Sequence, residues 1–383
     1  MTSVNAGARV LLAGGGSAGH VNPLLAVASV LRDRDIEVQA LGTASGLEMD
    51  LVPQAGITLH TIKKVAAPRR PNKAALTFAP DLAKTVRDVE RLIKSGGVEA
   101  VVGFGGYVSA PAYLAARGQG IPVVIHEQNA RAGLANKLGA RFAAALALTF
   151  SQTSLKARRG ITEVTGLPLR PAIRQLAEDR VSEEGRAKRR EQACAQLGLD
   201  PSKPTVLITG GSLGALHLNQ VMVQAASAFG PDHQVLHLTG KGKSEGIAEE
   251  VAAGGFAGTW IVREYAMDME TYFAAADLVV GRAGAGMVAE LTALGLPAVY
   301  VPLPIGNGEQ KLNAVEQVRK GGAMLFDDND FSEKIVRSFV VPLLDSSQRL
   351  EDMAKESAKL GHVDAAYSVA DLVESVLCKG QVK

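Results

Sequence analysis

The segment RVLLAGGGSAGHVNPLLAVASVL, beginning at Arg9, has a counterpart in TVLITGGSLGALHLNQVMVQAAS, beginning at Thr205. Each is a short apolar run, a glycine-rich turn and an amphipathic helical stretch. That is the pattern of the first strand–helix unit of a doubly wound domain. Runs of the same kind recur at 9–13, 37–41, 100–103, 122–126, 204–209, 234–238, 277–280 and 298–301, separated by helix-periodic segments. The alternation predicts an α/β protein with two Rossmann-like domains facing each other across a cleft. We expect a domain over 1–168, a second over 169–361, and a C-terminal helix within 362–383 that returns to the first. The Arg-, Glu- and Lys-rich stretch 170–204 reads as a linker plus one exposed helix rather than core.

Composition removes several classes. A net charge of +2 over 383 residues argues against a nucleic-acid partner. Cys194 and Cys378 stand too far apart for metal-ligand spacing and are too few for a disulfide framework, as fits a reducing cytoplasm. The N-terminus has no signal-peptide pattern, and no apolar run nears the roughly 20 residues of a membrane span. Any work at a membrane is therefore expected to be peripheral.

The first turn matches G-x-G-x-x-G through Gly14, Gly16 and Gly19. Glycine admits close backbone approach, and a helix N-terminus offers N–H groups and a positive dipole end to an anion. A dinucleotide reading also needs an acid at the tip of the second strand, about 20 residues on. The strand ends VQALGTASG; Glu37 is at its wrong end and Glu48 lies beyond the turn, so NAD binding is disfavoured. GKGKS at 240–244 is no Walker loop, because His237 occupies the place of its first glycine. The second turn, GGSLGA, offers Ser212 and its neighbouring amides to a phosphate, or is a tight turn with an N-cap serine.

The stretch DLVVGRAGAGMVAELTALGLPAVYVPLPIGNGEQKLNA, residues 277–314, carries the most information in the second half. A strand ends at Val280, a turn holds Arg282, Gly284, Ala285 and Gly286, and a helix runs from about Met287 to Leu294, stopped by Gly295 and Pro297. Glu290 lies one turn into that helix, where a carboxylate accepts from both ribose hydroxyls or is a solvated surface charge. Gln310 and Asn313 follow on a long loop at the C-terminal edge of the sheet, and their amides suit sugar hydroxyls.

In order and spacing, GGGSAGHVNP, GFGGYVSAP, HEQNARAGLANK, TGLPLRP, GGSLGA, GRAGAGMVAE and PIGNGEQKLNA resemble the MurG family of bacterial transferases, glycosyltransferase family 28. The resemblance spans nearly the whole chain. It implies the GT-B fold and an inverting transfer of N-acetylglucosamine from UDP-N-acetylglucosamine (UDP-GlcNAc). The implied acceptor is the muramyl 4-hydroxyl of undecaprenyl-diphosphate-MurNAc-pentapeptide (lipid I), giving lipid II for peptidoglycan; since the sequence shows no metal motif, neither a cofactor nor a metal is expected. Carried over by position, Ser17, Ala18 and Gly19 match the first donor-contact loop, Asn129 a sugar-contacting asparagine, and Arg170 an arginine near the diphosphate. Ser212 matches a phosphate-contacting serine, and Ala266 a residue whose backbone meets uracil. Ala285, Gly286, Met287, Val288, Ala289 and Glu290 match the turn and helix at the phosphates and ribose, and Gln310 the sugar-reading glutamine. The chain departs from the family pattern at Ser17-Ala18 (often Thr-Gly), Leu167 (usually Asn), Leu213 (commonly Gln) and Met287 (frequently Thr).

Inverting transfer needs a base for the acceptor proton and stabilisation for departing UDP. No Asp-x-Asp metal motif stands out, so helix N-termini and Arg170 are left to neutralise the diphosphate. His20, at a helix start, is biased toward the neutral imidazole that accepts a proton; it is read as the general base or positioner of the acceptor, or as a cap on the loop. His126 ends a buried strand and reads as structural. Residues 63–94 hold nine Lys or Arg against three acids, with Leu76, Phe78 and Leu82 among them. This is either a solvated helix face or, with Arg69, Arg70 and Lys73, a site for the cytoplasmic leaflet of an anionic membrane. The Gly105, Gly106 and Tyr107 turn is expected to face the acceptor. Wall-synthesis and division proteins are implied partners. The rival readings are another nucleotide-sugar enzyme such as an epimerase or glycolipid transferase, an NAD-dependent oxidoreductase, and a non-catalytic nucleotide-sugar sensor.

Overall fold

The computed structural model describes residues 6–65, 73–211, 214–304 and 308–380. Contacts divide the chain into two compact units, Met1–Arg170 with Asp364–Lys383, and Pro171–Val363.

In the first unit the strands are β1 (Arg9–Ala13), β2 (Glu37–Thr43), β3 (Thr58–Ile62), β4 (Ala100–Gly103), β5 (Val123–Glu127), β6 (Ala145–Leu148) and β7 (Ile161–Val164). All pair in parallel, in the order β3-β2-β1-β4-β5-β6-β7. The crossovers carry α1 (Ala18–Asp33), α2 (Glu48–Gln54), α3 (Lys73–Gly96), α4 (Ser109–Gly118) and α5 (Leu134–Gly139). A parallel sheet covered on both faces needs strands that are apolar throughout. In β1, Val10 and Leu12 point into one core with α1, while Leu11 and Ala13 point into the other with Val89 and Ile93 of α3 and Tyr113 of α4. The helix Ala365–Gly380 lies on the α1 side, where Val369, Val373 and Val376 are buried. Arg34 beyond α1 meets Asp371 at 2.7 Å and Glu374 at 2.5 Å on that helix.

The second unit begins with α6 (Pro171–Asp179) and α7 (Glu183–Leu197). Its six-stranded parallel sheet contains β8 (Thr205–Thr209), β9 (Gln234–Leu238), β10 (Thr259–Arg263), β11 (Leu278–Gly281), β12 (Ala298–Tyr300) and β13 (Ala323–Leu325), in the order β10-β9-β8-β11-β12-β13. Its later helices are α8 (Leu216–Gln224), α9 (Ile247–Ala253), α10 (Met269–Ala275), α11 (Ala285–Leu294) and α12 (Glu309–Lys320). They are followed by α13 (Glu333–Ile335), a π-helical turn, α14 (Val341–Leu344) and α15 (Ser347–Ala358).

The stretch 170–204 is not a linker with one exposed helix. It forms two helices that pack on α10 and α11 and bury Ile173, Leu176, Ala177, Ala193 and Cys194. Their charges lie on the outer faces and tie them down. Arg189 binds Asp179 at 2.7 Å, and the Arg190 guanidinium grips Asp277 with two donors at 2.8 and 2.9 Å. No helix among the described residues is long and apolar enough to cross a membrane.

Candidate active site

Strand order reverses between β1 and β4 in the first sheet and between β8 and β11 in the second. Open parallel sheets bind ligands at such switch points, beyond the carboxyl ends of the strands. Several of the residues singled out from the sequence lie on the turns and helix starts after these strands: 17–20 after β1, 105–107 after β4, and 285–290 after β11.

In the first unit the turn after β1 and the turn after β4 are packed together. Gly106 has φ +81°, and a Cβ on it would stand 2.8 Å from the Gly15 carbonyl oxygen. Gly105 has φ +89°, and a Cβ there would lie 3.1 Å from both Cδ2 and Nε2 of His20. Glycine at both positions lets one turn lie against the other and leaves the imidazole edge uncovered. The third wall comes from the turn after β5, where the buried Gln128 donates Nε2–H to the Phe104 carbonyl at 2.6 Å.

His20 occupies the first turn of α1, half-buried. Its Nδ1 lies 3.1 Å from the Gly15 carbonyl oxygen and 3.1 Å from Ser17 Oγ. A carbonyl only accepts, so this contact puts the proton on Nδ1 and leaves the Nε2 lone pair open in the neutral ring. Burial lowers the imidazole's pKa, outweighing the Gly15 hydrogen bond and the charge of Glu48, both of which raise it. Desolvation thus favours the neutral form.

Sequence reasoning missed the acid beneath this loop. Glu48 is fully buried; its Oε2 accepts from Gly16 N–H at 2.8 Å, and its Oε1 from Thr43 N–H at 2.9 Å and Thr43 Oγ1 at 2.8 Å. Burial alone would raise its pKa, but these donors prevail and hold it below the usual value. The Gly16 amide is therefore occupied by a carboxylate of the chain itself, and no acid remains at the tip of β2 for a dinucleotide ribose.

The HEQN segment is organised by Glu127, which also went unrecognised. Its buried carboxylate accepts from the N–H groups of Asn129 and Gly133, each at 3.0 Å, and from Asn136 Nδ2 at 2.9 Å. Burial raises its pKa against those bonds and the charge of Lys137. Asn129 is thereby fixed on a turn, half-buried. His126 is structural, as its position at the end of a strand suggests. It is fully buried with Nε2 2.9 Å from the Gly166 carbonyl oxygen, and burial pushes its pKa down to about 4. Arg170 is half-exposed at the end of the unit, just after buried Leu167 and Leu169. Ser17, the residue before α1, and Gly19 are exposed, and Ala18 is half-buried. Tyr107 is exposed beneath the Lys64 ammonium, 4.5 Å from the ring centroid.

In the second unit Gly210 and Gly211 follow β8, and a Cβ on Gly214 (φ +66°) would stand 2.1 Å from the Thr239 carbonyl oxygen. Ser212 and Leu213 lie outside the described residues. The residue before α8 is Ala215. The turn after β11 is braced by Arg282, which donates to the carbonyls of Val301 at 2.9 Å and Pro302 at 3.1 Å and pairs with Asp328. Helix α11 starts at Ala285, two residues before the expected Met287, with Gly284 before it and Gly295 in the left-handed conformation at its end. Ala285, Gly286, Met287, Ala289 and Glu290 are half-buried, whereas Val288 turns into the core. Asn313 is buried and donates to the Ala283 carbonyl at 3.3 Å, so it holds the turn instead of standing open to a sugar. Gln310 Oε1 accepts from Leu303 N–H at 2.9 Å. Ala266 is buried between exposed Tyr265 and Met267 in the turn after β10.

Arg69 and Arg70 lie outside the described residues, and Lys73 and Leu76 fall in the first turn of α3, whose side chains are not described. Phe78 is half-buried, and Lys63 pairs with Asp81 at 3.0 Å. Among the described residues no three His, Cys, Asp or Glu side chains are grouped to hold a metal ion.

Residues 10–148 match the N-terminal domain model of glycosyltransferase family 28, and residues 205–369 match the C-terminal one. The chain is 48% identical to the UDP-N-acetylglucosamine–N-acetylmuramyl-(pentapeptide) pyrophosphoryl-undecaprenol N-acetylglucosamine transferase of Bifidobacterium adolescentis, over 96% of this chain and 97% of the relative. It is 49% identical to the enzyme of the same name from Clavibacter sepedonicus, over 96% of each. The crystal structure of MurG from Acinetobacter baumannii superposes with a TM-score of 0.78 at 30% identity, covering 96% of this chain and 99% of that one. Two parallel Rossmann-like sheets with these matches are the GT-B fold, and the chain belongs to glycosyltransferase family 28.

Proposed function

We propose that the chain transfers N-acetylglucosamine from UDP-GlcNAc to the 4-hydroxyl of N-acetylmuramyl-(pentapeptide) pyrophosphoryl-undecaprenol, with inversion at the sugar carbon. Identity of 45–49% to transferases of that name over nearly the whole chain supports the reaction. The observation that carries the chemistry is the His20 imidazole, whose Nδ1 is engaged by the Gly15 carbonyl while burial disfavours the charged ring.

Nε2 of His20 takes the proton of the acceptor 4-hydroxyl. The freed oxygen pair forms a bond to C1 of the donor sugar. The bond from C1 to the β-phosphate oxygen breaks, and its electron pair leaves on UDP. The departing diphosphate is met by N–H groups of the GGSLGA turn with Ser212, by the start of α11 at Ala285–Ala289, and by Arg170. Glu290 accepts from the ribose hydroxyls, the Ala266 backbone meets uracil, and Gln310 with Asn129 reads the sugar. Ser17, Ala18 and Gly19 line the donor side of the first loop. Gly105, Gly106 and Tyr107 face the acceptor diphosphate. The basic segment 63–94 holds the protein on the anionic cytoplasmic leaflet, the source of its lipid substrate, beside wall-synthesis and division proteins.

The test is incubation of the purified protein with radiolabelled UDP-GlcNAc and a short-chain lipid I analogue. A lipid-linked disaccharide formed one-for-one with UDP supports the reading. UDP and free N-acetylglucosamine without disaccharide, or the 2-epimer of the donor, would refute it.

A further inference from the structure

The N–H that Glu48 binds and the C=O that His20 binds belong to the same peptide unit. Glu48 Oε2 accepts from Gly16 N–H at 2.8 Å, and the Gly15 oxygen on the other side of that amide lies 3.1 Å from His20 Nδ1. We infer that Glu48 is a positioning residue for His20, acting through the Gly15–Gly16 peptide as a carboxylate acts directly in a catalytic triad. The inference rests on the reading of His20 as the base.

The packing around Glu48 is built for that carboxylate. A Cβ on Gly15 would stand 2.3 Å from its Oε1, one on Gly46 2.0 Å from its Oε2, and one on Gly42 2.6 Å from its Cγ. Three glycines thus make room for a fully buried acid, and no cation pairs with it among the described residues. An unpaired buried carboxylate is costly to keep in a structure, and a loop could be clipped by a neutral side chain. What the charge adds is polarisation. An anion at the N–H end of an amide makes its carbonyl oxygen a stronger acceptor. That oxygen then holds the Nδ1 proton and favours the imidazolium formed as Nε2 takes a proton.

Among the described residues, Ser17 Oγ lies beside the ring and the Gly105 backbone faces it, with the Gln128 amide across Gly105, all uncharged. The titratable side chains on the adjoining turns are engaged elsewhere: Tyr107 under Lys64, and Glu127 on the N–H groups of Asn129 and Gly133. Glu48 is the acid whose charge raises the His20 pKa. Replacing it by a neutral group therefore lowers that pKa further.

The test uses the full-length protein and Glu48→Gln, with 15N-histidine NMR titration of His20, assigned by its loss in His20→Gln, and the pH profile of transfer. The expected result has three parts. Neutral His20 in the unsubstituted protein carries its proton on Nδ1. In Glu48→Gln its titration and the acidic limb of kcat/KM both move to lower pH. The plateau of kcat falls about tenfold, part of the range assigned to a general base, at unchanged Kd for UDP. A folded Glu48→Gln with the original titration and limb would leave Glu48 a structural clip and overturn the inference. Should that variant not fold, a neutral His20 protonated on Nε2 in the unsubstituted protein overturns it equally. His20→Ala separates the two layers. An acidic limb that persists in His20→Ala refutes the base itself, whereas a limb lost there but unmoved in Glu48→Gln refutes the relay alone.

Discussion

Gly105 faces the His20 ring so closely that a Cβ on it would stand 3.1 Å from the imidazole Nε2. The left-handed φ of +89° and this close approach make the position specific for glycine. Gly105→Ala therefore strains the turn by about 1–2 kcal/mol and displaces the ring. We expect kcat to fall by about tenfold or more, with the UDP dissociation constant within about twofold of the original. Steady-state transfer kinetics with calorimetric UDP titration check this; an unchanged kcat would mean that the open edge of His20 plays no part in turnover.

Two buried histidines make stability depend on pH. Burial pushes both His126 and His237 from 6.5 down to about 4. Their folded-state values are depressed, so the neutral rings contribute full stability above pH 6.5. That contribution is lost as pH falls toward 4 and the unfolded chain takes up protons the folded one refuses. Each contributes up to about 3 kcal/mol over that window, at ~1.4 kcal/mol per pKa unit. Urea midpoints measured at pH 7 and pH 5 should drop steeply in the unsubstituted protein and less in His126→Gln. Equal midpoints at the two pH values would contradict the assignment.

Glu290 sits in the second turn of α11, half-buried, beyond the glycine turn that Arg282 and Asn313 brace. Loss of a charged acceptor for ribose hydroxyls is worth about 1.5–3 kcal/mol, roughly a 10- to 100-fold weaker complex. Calorimetry of UDP with Glu290→Ala is expected to show that weakening, while uridine-free pyrophosphate binds both forms alike. An unchanged Kd for UDP would remove the ribose role.

The basic segment offers a separable prediction. Nine cations against three acids between residues 63 and 94, in a chain of net charge +2, concentrate positive charge on one stretch. Reversing Arg69, Arg70 and Lys73 to Glu should reduce co-sedimentation with anionic vesicles about tenfold or more at low salt, because each basic residue contributes ~1 kcal/mol near such a surface. Transfer to a water-soluble acceptor should be unaffected. Binding that survives the triple reversal would assign those residues to a solvated face.

The central strands were legible because they are buried on both faces and read as unbroken apolar runs, as in TVLIT and VVIHE. The unread ones are mostly edges. TLHTI, ITEV, TWIVR and AML form the outer strands β3, β7, β10 and β13, where half-exposed polar residues or mere shortness break the pattern. The inner β6, ALAL, is made of residues that favour helix as readily. In α6 and α7 the charged outer faces masked a narrow apolar stripe. At the site, the glycine turns and His20 stand out locally. Glu48 does not, since its bond to Gly16 spans 32 residues and exists only once β1 and β2 lie side by side. Glu127 was hidden for a different reason: a carboxylate at a strand end looks solvent-facing until the turn it organises has folded over it.

The most direct measurement is single-turnover transfer by His20→Ala, with donor binding checked by calorimetry on the same preparation. His20→Ala is expected to fold, to bind UDP-GlcNAc as before and to form disaccharide roughly 100-fold or more slowly, with no acidic limb in its pH profile. Turnover at the original rate by that variant would contradict the role of His20 as the base.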